Sequence, residues 1–126
     1  MLPTGFGAAL NKLRERRTLS LRELSTLAEV DHAYVYRLET GEKTNPSDEA
    51  LEKLIRVLKP GARDAAMLKW LAAHPDTDPN LVLYVLDDPR VPLEHFTAAA
   101  GTVHRGTARP DPAKLLERVR KIMEEE

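Results

Sequence analysis

Residues 20–41, SLRELSTLAEVDHAYVYRLETG, decide how the chain folds, because they spell two short helices joined by a tight turn. Ser20 is a good N-cap and Glu23, three residues on, completes a capping box, so a helix is predicted to start there. Leu21, Leu24, Leu27 and Ala28 follow at helical spacing and are expected to form its buried stripe. Asp31 is a second N-cap, with Val30 before it to plug the turn. Val35 and Leu38 then face inward with Tyr34 beside them, which leaves His32, Ala33, Tyr36 and Arg37 on an outward edge near the helix N-terminus. Gly41 suits the position after a helix, where the backbone commonly turns left-handed. One helix lying crosswise beneath a second with an exposed polar edge is the geometry that enters a DNA major groove. An ordinary helical hairpin with no ligand has the same two-helix pattern.

The flanks extend the pattern. Upstream, Phe6 to Arg17 reads as an amphipathic helix with Phe6, Leu10 and Leu13 inward. Downstream, Asn45-Pro46-Ser47 opens a helix from Asp48 to Leu58 with Leu51, Leu54, Ile55 and Leu58 on its core face. Four helices in this register resemble the phage-repressor-like helix-turn-helix family, the XRE family. The residues that carry the resemblance are Leu10, Leu13-Arg14, Arg17, Leu19-Ser20, Glu23-Leu24, Val30, Tyr34-Val35, Leu38-Glu39, Gly41 and Asn45-Pro46-Ser47, and it covers residues 5–59 without a gap.

The resemblance implies roles for matching positions. Arg14 and Glu39 look like the pair that ties the first helix to the end of the recognition helix. His32, Ala33, Tyr36 and Arg37 occupy the base-reading positions, and Arg37 suits a bidentate contact to guanine. Ser20, Arg22, Tyr34, Lys43, Thr44 and Asn45 resemble the phosphate clamp, helped by backbone N–H groups at helix starts. Leu21 stands where the family usually has a polar phosphate-gripping residue. Asp31, Glu39 and Glu42 bring acidic groups to the DNA-facing edge.

The formal net charge of −1 excludes a strongly basic DNA coat. Residues 1–60 carry ten Lys/Arg against nine Asp/Glu, and residues 61–126 carry nine against eleven. Binding is therefore expected to rest on Arg16, Arg17, Arg22, Arg37 and Lys43 and to be salt-sensitive. One module reads few bases, so a homodimer on a palindromic site in double-stranded DNA is expected, with half-sites about 34 Å apart. Repression is the commoner behaviour of the family.

At 126 residues the chain can hold one compact domain or two small ones. It has no cysteine, which fits a reducing cytoplasm. Its longest apolar run, Leu81 to Leu86, is too short to span a membrane, and no signal-peptide core is seen. Four scattered histidines, His32, His74, His95 and His104, show no metal-ligand spacing, and there is no phosphate loop or nucleophile elbow. No enzyme, cofactor or metal site is expected.

Lys59-Pro60-Gly61 breaks the fourth helix and marks the expected boundary between a DNA-binding domain, 1–60, and a helical dimerisation or regulatory domain, 61–126. The fold expected is all-α: a lambda-repressor-like domain of four to five helices plus a small helical domain. The second half reads as helices from Arg63 to His74, Pro79 to about Leu86, Pro92 to Ala100 with Gly101 as a stop, and Ala113 to about Glu124. In the first of these, Ala65, Leu68, Leu71 and Ala72 form the stripe, flanked by Met67 and Trp70. Pro79 to Leu86 has β-branched residues that also permit a strand, but Asp78-Pro79 favours a helix. In the last helix Leu115, Leu116, Val119, Ile122 and Met123 form a stripe, and Leu115, Leu116, Val119 and Ile122 are the expected dimerisation residues.

Between the last two helices lies TVHRGTARP, residues 102–110. Asp88-Pro89, Arg105-Gly106, Arg109-Pro110 and the Leu116 to Ile122 stripe resemble the C-terminal part of the DdrO damage-response repressors. That resemblance implies a stress response in which an ImmA/IrrE-type metalloprotease cuts the loop near His104, Arg105 and Gly106 and detaches the last helix. Two other readings stay open: an antitoxin that binds a toxin through its C-terminal half, and an interaction module that no longer binds DNA.

Overall fold

The computed structural model describes residues 4–102 and 111–124. Among the described residues it is all-helical: α1 (Gly5–Arg16), α2 (Leu21–Ala28), α3 (His32–Thr40), α4 (Asp48–Leu58), α5 (Ala62–Ala73), α6 (Pro79–Asp87), α7 (Leu93–Gly101) and α8 (Pro112–Glu124). The starts follow from local capping. Ser20 Oγ accepts the Glu23 N–H at 3.0 Å, and Glu23 Oε1 accepts the Ser20 N–H at 2.8 Å. That backbone donor holds the Glu23 carboxyl below its ordinary range. Asp31, Ser47 and Asp78 cap α3, α4 and α6 through side-chain oxygens at 3.1, 3.1 and 3.0 Å. With Asp78 as cap and Pro79 in the first turn, residues 79–87 are helical despite their β-branched content. Gly41 ends α3 at φ 89°, whereas Gly101 lies in the last turn of α7 and Thr102 follows it.

One continuous apolar cluster joins the elements. Phe6, Leu10 and Leu13 of α1 meet Val35 and Leu38 of α3, with Leu24, Leu51 and Leu54 behind them, and the same cluster continues into Met67, Leu68 and Leu71 of α5 and Leu81, Val82 and Val85 of α6. Helix α1 packs against α3, α5 and α6. Residues 1–60 and 61–126 therefore share a core, and Lys59, at φ 47°, is a tight link between α4 and α5. Met67, expected to flank the α5 stripe, is fully buried, and Trp70 meets Phe96 edge-on with ring centres 5.4 Å apart.

The α1–α3 contact is close enough to require a missing side chain. A Cβ added at Gly7 would stand 2.5 Å from the Glu39 carbonyl oxygen and 2.7 Å from that of Leu38. Both obstacles are backbone, so α3 would have to move. Gly7→Ala is expected to destabilise by about 1–3 kcal/mol, read as a lowered urea midpoint. An unchanged midpoint would mean that the two helices slide apart freely.

Ionic side chains brace the second half internally and join it to the first through Arg16 and Lys12. Arg63 Nη1 donates to the carbonyls of Asp88 at 2.7 Å and Val91 at 2.9 Å, and its Nη2 donates to Val85 O at 2.9 Å. Asp64 holds the same guanidinium at 2.8 Å and Arg16 at 3.1 Å. Arg16 also donates to Leu86 O, Arg17 Nε donates to Leu58 O at 2.9 Å, and Lys12 pairs with Asp87 at 3.4 Å. Near the end of α6 the Val85 carbonyl, which also accepts the Asp88 N–H, and the Leu86 carbonyl thus receive guanidinium donors from α5 and α1.

The structure places several residues that the sequence singled out. Leu27 is 57% exposed rather than buried. At about 100° per residue, Leu21, Leu24, Ser25 and Ala28 share one arc, and Leu27 falls outside it on the Leu24 flank. Arg16 pairs with Asp64 and donates to Leu86 O, so its charge is matched within the chain, whereas Arg17 donates only Nε to Leu58 O and keeps its charge at an exposed position. In α8, Leu115, Leu116 and Val119 are buried within the single chain, where α8 packs on α6 and α7. Only Ile122 of the expected dimerisation set is open, at 62% exposure.

Candidate nucleic-acid interface

The outward edge of α3 is set by what locks its other side. Val35 and Leu38 are fully buried and Glu39 nearly so. Glu39 Oε2 accepts from Arg14 Nε at 2.7 Å, while its Oε1 accepts from Arg14 Nη2 at 3.1 Å and from Asn11 Nδ2 at 3.0 Å. Arg14 Nη1 then reaches Leu19 O at 2.8 Å, just before α2. One guanidinium thereby ties α1, the start of α2 and the end of α3. The hydrogen bonding that Arg14 donates to the Glu39 carboxylate raises the Arg14 pKa above its ordinary value. Asn11 is a member of this network that the motif comparison did not single out. Its position one turn before Glu15 carries no sequence signal, since any surface helix has polar residues there.

With its back fixed, α3 presents His32, Ala33, Tyr36 and Arg37 to solvent. Among the proposed phosphate contacts, Arg22, Lys43, Thr44 and Asn45 are exposed, and Asn45 adopts φ 55°. Tyr34 is half-buried; its hydroxyl accepts the Ser47 N–H at 3.4 Å, and the Lys43 ammonium lies 5.5 Å from the centre of its ring. Ser20 Oγ accepts the α2 cap bond, and its hydroxyl proton is the donor it could offer a phosphate. Leu21 is half-buried against the core. Arg37 faces Glu42 across 3.9 Å. Residues His104, Arg105 and Gly106, the expected cleavage loop, lie outside the described residues.

Residues 6–66 match the family model of the helix-turn-helix domain. The N-terminal half is a helix-turn-helix domain. The match runs from α1 through α4 into the first turns of α5, so the helix-turn-helix domain includes the Arg63 and Asp64 positions that clamp α6. No curated protein matches the chain. Among the described residues no group of three or more His, Asp or Glu side chains could hold a metal ion, and no helix is long and apolar enough to cross a membrane.

Proposed function

We propose that the protein is a sequence-specific DNA-binding transcriptional regulator of the XRE type, acting as a dimeric repressor on a palindromic operator. The observation that carries this reading is the polarity of α3: four solvent-facing side chains on one edge, with Val35, Leu38 and the Glu39–Arg14 pair immobilising the other. A recognition helix needs that combination, because base readout requires side chains held in register on the duplex. With Arg16 paired to Asp64, phosphate attraction falls mainly to Arg17, Arg22 and Lys43, so the salt dependence of binding is shallow for this fold class. Ile122 and Met123 at the open end of α8, with exposed Tyr84 on α6, are exposed apolar residues of the C-terminal half that a second copy could cover.

Selection of a duplex from a random pool, followed by footprinting and sedimentation, tests the reading. Recovery of an inverted repeat protected by a dimer is expected, and a chain that retains no duplex at low salt rejects it. Arg37→Ala should weaken binding to the selected site by about 1–3 kcal/mol and leave random DNA nearly unaffected. Equal losses on both would make Arg37 a phosphate contact.

Control by proteolysis fits the way α8 is held. Leu115, Leu116 and Val119 cover α6 and α7, so a cut in the 102–110 loop would let the helix leave and bare an apolar face. A metalloprotease partner is the expected agent. Incubation with a protease of that class and mass analysis of the fragments checks it; an intact chain speaks against it.

A further inference from the structure

Immediately after the recognition helix the chain places a carboxylate beside its arginine. Glu42 Oε2 lies 3.9 Å from Arg37 Nε, with the two side chains 49% and 57% exposed. The backbone holds them together. The Arg37 carbonyl accepts the N–H groups of Gly41 and Lys43, each at 3.1 Å, and the Thr40 hydroxyl at 3.2 Å. The Glu42 N–H in turn reaches Thr40 Oγ1 at 3.4 Å. The turn carrying Glu42 is therefore pinned to the residue whose guanidinium it faces. No other partner of the Arg37 guanidinium is found among the described residues, so its two terminal nitrogens are free.

In open water such a pair contributes little. Its effect arises where a duplex excludes water and the effective dielectric falls. We infer that Glu42 is a positioning residue that sets the DNA specificity of Arg37, an inference that rests on the reading of α3 as the DNA-recognition helix. With the carboxylate 3.9 Å away on the Nε side, Nη1 and Nη2 stay open to approach guanine O6 and N7 end-on. By its charge it opposes the backbone phosphates, so a random duplex gains less from drawing Arg37 aside. Lys43 faces the Tyr34 ring rather than Glu42, so the next residue along does not cancel the carboxylate.

The test uses the full chain, a duplex selected from a random pool, and a scrambled duplex of the same length, each titrated over a salt series. Glu42→Gln keeps the side-chain shape and removes the charge. It is expected to tighten scrambled-duplex binding about tenfold and to steepen its salt slope by about one, while the selected duplex changes less than threefold. Glu42→Asp should retain the wild-type ratio of the two affinities. In an Arg37→Ala background, Glu42→Gln should leave that ratio unchanged within about twofold, which a merely structural role for Glu42 would not produce. Equal tightening on both duplexes, or the same fall in ratio without Arg37, overturns the inference while the reading of α3 stands. A wild-type chain that selects no duplex removes both.

Discussion

Glu39→Ala is expected to cost about 3 kcal/mol of folding stability, near the low end of what breaking a buried ion pair costs. The carboxylate accepts three hydrogen bonds, two from Arg14 and one from Asn11. Its removal strands a guanidinium whose side chain is only 15% exposed and which stays charged at any working pH. Partial water access is why the low end applies. The loss should show as a lower urea midpoint with an unchanged slope. Replacing both partners, Arg14→Met with Glu39→Leu, should recover much of it, because no charge is then left buried. DNA affinity should not recover in the double variant, since the pair fixes where α3 ends. A single variant as stable as the wild type would show that the pair is ornamental.

Arg63→Ala ranks with it. The carbonyls of Val85 in α6 and of Asp88 and Val91 in the turn to α7 all accept from this guanidinium, the first two beside a backbone N–H, and Asp64 aims it. Hydrogen bonds to a charged group contribute about 1.5–3 kcal/mol each but not additively, so a loss of about 3 kcal/mol is expected, or roughly 10 °C in melting temperature. Arg63→Lys should fail to rescue, because one ammonium cannot serve carbonyls grouped around two separate nitrogens. Amide exchange should quicken first in α6 and the turn to α7. Were lysine to restore the melting temperature in full, a generic positive charge would suffice and the fork geometry would be irrelevant.

The parts of the fold governed by near neighbours in sequence were readable from it. Ser20 with Glu23, Asp31, Ser47, Asp78-Pro79 and Gly41 act within four residues, so their caps and stops could be placed from residue type alone. The Arg14–Glu39 pair spans 25 residues and became visible only through the family pattern. What escaped depends on distant partners. Arg16 meets Asp64 and Leu86, 48 and 70 positions away, and no local signal distinguishes it from a solvated arginine. The α8 stripe announced burial but not the identity of its cover, because periodicity looks the same whether the opposing surface belongs to the same chain or to another. Leu27 was misplaced because a spacing of three runs equally well along either flank of a short helix. At the candidate interface, the exposed edge of α3 followed from helical phase, whereas the approach of Glu42 to Arg37 required the turn geometry after Gly41.

Helix α1 is a party wall. One side supports α3, and the other receives α6 through apolar packing, Lys12–Asp87 and Arg16. Anyone grafting the first 60 residues onto a different effector body would carry away half of a sealed joint, leaving a greasy strip and unmatched charges facing solvent. A modular transplant here has to include the neighbour's brickwork, or resurface α1 before the cut is made.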